Sequence, residues 1–394
     1  MKSVLRILIS SLLIAFLLEI SLRTIRPEAL DFYWIQKQYH SYDPDYLVDL
    51  EPNVNVRLKH FNEIFDIQFS TNEFGFRGTG KIDNSLPQIG CIGDSVTMGF
   101  GVSDRDTFCS KINGYTDSRG QIYQSVNLGV DAYGPTAIAR KMEKKLDQLN
   151  LKVLYYFPSN GDDIDEYAFW DKMDHPTKLK IFKFQFLASK YSYLILALKV
   201  LQEQLIFRFM ETFVYPVSDA LVQKSCIDGL KPEDECRYTS YSSILFSFMK
   251  DFQRSAPSPK DSPPIFPKSE CTSEDPPHPI PDYVYNSTKE IVRIAEKRGI
   301  RIVFFLAPID IETAYCSQRG MNHRLYNYSR TLKKFLIKEN IEFIDLNEHT
   351  MKMKDSEGRL NPRPYYILGD GHYTALGNEW VYQILKEKTG EILK

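Results

Sequence analysis

The sequence predicts an α/β fold, a three-layer α/β/α sandwich around a mainly parallel, five-stranded sheet. Two observations carry that expectation. Five short, continuously apolar runs recur along the chain, and amphipathic helical patterns lie between them. Runs so short and so evenly apolar suit strands buried on both faces. Strands alternating with helices build a layered sheet with right-handed crossovers. A third observation adds a membrane segment ahead of the fold: the N-terminus is apolar for sixteen residues from Ile7 to Leu22.

That first element, residues 1–26, begins with Lys2 and Arg6. Its apolar run is broken by three serines and Glu19, and Arg23 and Arg26 follow. A bilayer needs about 20 mostly apolar residues in a helix, so the run is slightly short. It ends Glu-Ile-Ser-Leu-Arg, where a cleaved signal would end in small residues. The expectation is an uncleaved signal-anchor, a single pass, with the rest of the chain on the extracytoplasmic side. Basic residues at both ends leave the orientation weakly marked.

Residues 27–85 read as a lead-in of short extended pieces. Within it, Asp66–Phe76 alternates weakly and carries a turn at Asn72–Gly75, which fits an edge hairpin. The main domain opens at 86–164. Its apolar runs are Gln88–Ile92, Val126–Val130 and Val153–Phe157. Pro135 starts a helix with apolar residues at Ile138, Met142, Leu146 and Leu149, and proline suits the first helical turn. Residues 165–282 break the rhythm. Lys183–Phe213 reads as one long helix, too charged for a second span, and Ser255–Pro281 as a Pro/Ser-rich loop. This stretch is expected as an insertion or cap over the sheet edge. Residues 283–394 return to the pattern: a helix over Tyr283–Arg298 stopped by Gly299, strands at Arg301–Ala307 and Ile341–Leu346, and a closing helix at Ala375–Lys388.

The net charge of −2, with no Lys/Arg stripe interleaved with aromatics, excludes a nucleic-acid surface. The 24 Tyr and 25 Phe read as core and ordinary surface, although such residues also suit sugar-binding clefts. Six cysteines, an even number, fit an oxidising compartment. Cys226 and Cys236 are close enough for a small loop, and Cys91 reads as a small buried residue; the pairing stays open. No Cys/His cluster has zinc spacing, and no cofactor or metal is expected. Asp162, Asp163 and Asp165 read as a solvated acidic loop. The histidines at 40, 60, 175, 278, 323 and 349 have no motif context. Two glycosylation sequons occur, at Asn286 and Asn327.

Chemistry gathers where strands end, because ligands of open α/β sheets bind at the carboxyl ends. Gly93-Asp94-Ser95 follows the first strand, Gly129 the second and Asn160 the third, and Asp370-Gly371-His372 precedes the last helix. A serine hydroxyl needs an imidazole to take its proton, and the imidazole needs a carboxylate to fix its tautomer. Ser95 is the expected nucleophile, His372 the base and Asp370 the orienter. The N–H groups of Ser95 and Gly129, with the Asn160 side chain, are the expected oxyanion hole. Asp94 is expected to hold the loop rather than react.

These segments resemble the blocks of the SGNH (GDSL-type) hydrolases. Ile92–Phe108, IGDSVTMGFGVSDRDTF, is similar to their first block and Asn127–Pro135 to their glycine block. Phe157–Asp165 is similar to their asparagine block and Asp370–Val381 to the terminal Asp/His block. TNEFGFRG, Thr71–Gly78, resembles the lead-in of membrane-anchored members. The resemblance implies a flavodoxin-like sheet and a serine esterase that removes a small acyl group. The implied substrate is an acylated carbohydrate or lipid-linked molecule at the cell envelope. Two departures stand out. Asp370 and His372 are two apart, as in the branch that resembles polysaccharide O-acetyltransferases and deacylases, where many secreted esterases space them by three. Asn160 is followed by Gly-Asp-Asp, away from the commoner pattern. The alternatives are an O-acyltransferase with the same triad and a non-catalytic glycan-binding envelope protein. The second is disfavoured by the intact Ser95, Asp370 and His372.

Overall fold

The computed structural model describes residues 2–61, 63–158, 162–209, 271–275, 280–308, 311–323, 327–367 and 371–393. Asn160, Asp370, Cys226, Cys236 and most of the Pro/Ser-rich stretch lie outside these residues.

Among the described residues the main sheet has six strands: β5 (Gln88–Gly93), β6 (Tyr115–Thr116), β7 (Ile122–Asn127), β8 (Leu151–Phe157), β10 (Arg301–Leu306) and β12 (Phe343–Asp345). Their order is β12-β10-β8-β5-β7-β6. Five pair in parallel, and the two-residue β6 adds an antiparallel edge to β7. The expected five parallel strands are therefore present, with one short strand more. Counting only those five in chain order, the arrangement is 2-1-3-4-5, the flavodoxin-like winding. In that winding the chain leaves the first strand to one side and later returns to its other side, which opens a crevice at the carboxyl end of β5.

Side chains of the central strands alternate between two cores, as the period of two demands. Ile92, Leu154, Tyr156, Ile302 and Phe304 face one way. There they meet Ile138 and Met142 of α5 (Pro135–Lys145), Ile291 and Ile294 of α9 (Asp282–Lys297) and Leu332 of α11 (Tyr328–Lys338). Ile89, Cys91, Val153, Tyr155 and Phe305 face the other way. They meet Phe108 of α4 (Phe108–Lys111), Ala314 of α10 (Ile311–Ser317) and Val381 and Ile384 of α12 (Ala375–Ile392).

Ahead of the sheet, α1 (Lys2–Ile25) is long and apolar enough to cross a membrane, with mean hydropathy 2.2 and no buried residue. After it come α2 (Glu28–Tyr39), a β1–β2 pair (His40–Asp43, Leu47–Leu50) and a β3–β4 hairpin (Asn55–Lys59, Asp66–Ser70). The hairpin lies one strand earlier than expected. The anticipated turn at Asn72–Gly75 also exists: Asn72 Oδ1 accepts from the N–H groups of Phe74 and Phe76, both at 3.0 Å.

Among the described residues of 165–282 the helices depart from expectation: α6 (Asp162–Met173) comes first, and the stretch read as one helix from Lys183 is divided between α7 (Pro176–Tyr191) and α8 (Tyr193–Phe209), with Phe213 outside the described residues. Asp162–Asp165 thus start a helix rather than sit in a loop. The described part packs against α1, α2 and β1. Cys91 is also not the simple buried residue expected. It is disulfide-bonded to Cys109 of α4, and Cys271 of β9 (Cys271–Thr272), a strand paired with β11 (Asn322–His323), is bonded to Cys316 of α10.

Candidate active site

Ser95 is the first residue of α3 (Ser95–Met98), two residues beyond β5. Asp94 caps that helix, its Oδ1 accepting from Val96 N–H at 2.9 Å, which is the structural role expected of it. As the first residue of a helix, Ser95 has an N–H with no partner inside that helix. His372 lies on the segment before α12. Its Nε2 is 2.7 Å from Ser95 Oγ, though the two residues are 277 positions apart. Both side chains are half-buried and open to solvent.

His372 is held from several sides. Its carbonyl accepts from Ile367 N–H at 2.7 Å. The Phe100 ring lies 4.9 Å from the imidazole. The hydroxyls of Tyr366 and Tyr373 both donate to Pro308 O, at 3.1 and 3.3 Å, fixing the segment to the end of β10. Thr374 caps α12, and Asn378 in its first turn reaches across to accept from Phe108 N–H at 3.0 Å. The serine side is tied to the same α4 by the Cys91–Cys109 bond, and Lys111 pairs with Glu379 at 2.8 Å. The short helix α4 therefore joins the strand that leads to Ser95 to the helix that follows His372.

The glycine block has a packing reason. A Cβ on Gly129 would lie 2.8 Å from Met98 Cα and 2.8 Å from Thr97 C, backbone atoms of α3. Asn127 completes the contact: its Nδ2 donates to Thr97 O at 2.9 Å, and its Oδ1 accepts from Gly129 N–H at 3.0 Å. The N–H expected to serve an oxyanion is thus engaged with Asn127 in this conformation. The lead-in motif supports the same region. Arg77 N–H donates to Asn127 O at 3.1 Å, while the buried Arg77 guanidinium donates to Val102 O at 2.8 Å and Asp104 Oδ1 at 2.6 Å. His40 of β1 pairs with Asp131 at 2.7 Å, two residues past Gly129. Further along, Glu166 of α6 is buried and accepts from Thr136 N–H at 2.8 Å, Trp170 Nε1 at 2.9 Å and Ser287 Oγ at 3.2 Å, binding α5, α6 and α9 together.

The structure therefore brings Ser95, His372 and Gly129 to one place. Asn160 and Asp370 lie outside the described residues. The sequence reading missed Asn127, Asn378 and Glu166. Asn127 and Asn378 stand inside the quoted motifs; Glu166 carried no signal. Among the described residues no group of three or more His, Cys, Asp or Glu is placed to hold a metal ion.

No protein-family model matches the chain, and no curated protein does. Solved structures do. The chain is similar to a Bacteroides fragilis protein assigned as an acylhydrolase, at 11% identity over 80% of this chain and 92% of that one, with a TM-score of 0.35. It is similar to a Desulfitobacterium hafniense protein assigned as a lipolytic protein of the G-D-S-L family, at 10% identity over 75% and 98%, with a TM-score of 0.34. A GDSL-like lipase from Bacteroides thetaiotaomicron is similar at 8% identity over 80% and 93%, with a TM-score of 0.34.

Proposed function

We propose that this chain is a serine ester hydrolase of the SGNH class whose motifs it resembles, working through an acyl-Ser95 intermediate. The observation that carries the reading is the 2.7 Å contact between Ser95 Oγ and His372 Nε2. With Nε2 unprotonated, the hydroxyl donates to it, and the proton passes to His372 as Oγ bonds to the acyl carbon. Asp370 holds Nδ1–H and stabilises the imidazolium. The developing oxyanion is met by Ser95 N–H and the Asn160 amide. Gly129 N–H joins them by sharing its hydrogen between Asn127 Oδ1 and the substrate oxygen. His372 then returns the proton to the departing alcohol, and water repeats the sequence on the acyl-serine to release the acid.

The proposed substrate is an acylated carbohydrate or lipid-linked molecule at the cell envelope. The chain is held by α1, with the catalytic domain on the extracytoplasmic side. Two disulfides among the described residues support an oxidising location. The test is the full chain in detergent, beside Ser95→Ala, on 4-nitrophenyl acetate and butyrate. The parent should turn over, and the variant should lose about 10⁴-fold or more in kcat. Turnover that appears only when a glycan acceptor is added would instead identify an acyltransferase. A folded parent with no turnover, with or without acceptor, and no acylated Ser95 by mass spectrometry would end the proposal.

A further inference from the structure

Glu19 is the one acidic residue inside the apolar N-terminal run, and its place in the fold explains it. α8 begins with no carboxylate of its own in the first turn. Glu19 of α1 fills that role from outside: it accepts from Tyr193 N–H at 3.0 Å, Leu194 N–H at 2.7 Å and Ser192 Oγ at 2.8 Å. A carboxylate against the unpaired N–H groups of a helix start is favoured by hydrogen bonding and by the helix dipole. Arg23 closes the joint, pairing with Glu19 at 2.6 Å, donating to Tyr191 O at 2.7 Å and lying 5.2 Å from the Trp34 ring. The apolar helix is therefore fastened to the α7–α8 hairpin at the junction between its two helices.

That hairpin has two faces. Inward, Phe186 of α7 and Tyr193 and Leu196 of α8 are buried, and Lys190 binds Glu51 at 2.6 Å and His40 O at 2.7 Å. Tyr193 and Leu196 cluster with Leu30, beside Leu22 of α1. Outward, Ile181, Phe184 and Tyr191 of α7 are each half exposed or more. So are Leu198, Leu201 and Leu205 of α8, with Ile195 at 37%. Steps of three, four and seven put each set on one helical stripe. Lys180 beside the α7 stripe is exposed, Lys183 is exposed with its ammonium 5.1 Å from the Tyr42 ring, and Pro176–Tyr191 contains four lysines and no acidic residue. Apolar stripes edged by lysine match an anionic bilayer surface, with side chains in the acyl boundary and ammonium groups among the phosphates.

We infer that α1, α7 and α8 form one membrane-facing unit, in which the α7–α8 hairpin lies on the surface of the bilayer that α1 crosses. This rests on the membrane placement of α1 given above. The unit fixes the catalytic domain's orientation to the bilayer, where a lone anchor would leave it to swivel, and it favours substrates presented at the membrane surface.

Photo-crosslinking tests it. The full chain, with a benzoylphenylalanine in place of Leu12, Phe184, Leu198, Leu201 or Ile122, is reconstituted into vesicles of phosphatidylcholine and phosphatidylglycerol carrying an alkyne-tagged lipid. Ile122, on β7 beside the edge strand β6 and half exposed, is the water-facing control. Positions 184, 198 and 201 should yield tagged lipid adducts roughly tenfold above position 122 and near the yield at 12. The double change Lys180→Glu, Lys183→Glu should lower the yield at 184 in these vesicles and leave it unchanged in pure phosphatidylcholine. Adducts at 12 but not at 184, 198 and 201 would overturn the hairpin's placement and leave the anchor standing. No adducts at 12 either would remove the anchor reading as well. Protein adducts in place of lipid, to a second copy or to residues 210–270 of the same chain, would also overturn the inference.

Discussion

Replacing Gly129 by alanine tests whether the glycine block positions Ser95, the proposed nucleophile. The added Cβ would stand 2.8 Å from Met98 Cα and from Thr97 C. Carbon atoms rest at about 3.5–4.0 Å, so the overlap is about 0.7 Å or more, and it falls on backbone that cannot rotate away. Either α3 or the 128–130 loop must move by that amount. Ser95 begins α3, and its 2.7 Å contact with His372 becomes about 3.4 Å, outside good hydrogen-bond range. A misplacement near 1 Å costs about 10²-fold in rate, or about 2.7 kcal/mol of barrier. Gly90→Ala is the matched control. Its Cβ would press on Leu154 Cδ1 at 2.7 Å and Leu151 Cδ2 at 2.9 Å, flexible side-chain ends below the site. Overpacking there costs about 1–3 kcal/mol of stability and should leave activity per folded molecule within about threefold. The assay is kcat/KM on 4-nitrophenyl acetate, paired with thermal melting of the same samples. If Gly129→Ala kept the parent's kcat/KM, or if both variants lost activity only in proportion to unfolded protein, the positioning argument would fail.

Three further outcomes follow from buried groups. The double change Cys91→Ser, Cys109→Ser opens an 18-residue loop and should cost about 3 kcal/mol in urea unfolding; an unfolding midpoint equal to the parent's would show that the bond adds nothing. Asp49 is paired with the fully buried Lys141 at 2.7 Å. Burial raises the carboxyl's pKa, but Lys141 beside it more than offsets this and holds it below its ordinary 3.8. A lowered carboxylate pKa adds stability that is complete above the ordinary value and lost as pH falls through the folded one. Asp49→Asn, which strands the Lys141 ammonium, should therefore cost about 3–5 kcal/mol near neutrality. Its deficit should shrink on acidification from about pH 5 downward; a deficit independent of pH would refute the pairing. Glu166→Ala leaves Thr136 N–H and Trp170 Nε1 without their acceptor and should cost about 2–3 kcal/mol, measured by denaturant unfolding. A variant as stable as the parent would show that the carboxylate does not bind the three helices.

The sequence reading located four of the five parallel strands well and displaced one. Val126–Val130 was expected, and the strand is Ile122–Asn127. Its neighbour β6 is only two residues long, so Gln124 and Ser125 are half-buried and polar, and apolarity marked the wrong end. Leu128 and Val130 are buried in the loop against α3. Likewise, the only local mark of the break in the apolar stretch after Lys183 is Ser192, whose Oγ accepts from Ile195 N–H at 3.2 Å. Glu19 completes that helix start from a remote part of the chain, accepting from Tyr193 and Leu194 N–H.

What the sequence determined by itself was the succession of elements and the residue types at the strand ends. Apolar period and turn chemistry are local properties, and Ser95, Gly129 and His372 announce themselves by type and position. What only the tertiary structure decided was which distant groups meet. Cys91 finds Cys109 because both sit on the same side of the sheet. Asn127 reaches Thr97 O because the loop folds back on α3. Glu19, an anomaly in an apolar helix, caps another helix over 170 positions away. Such contacts depend on chain crossings fixed by packing the whole core, and no local pattern encodes them.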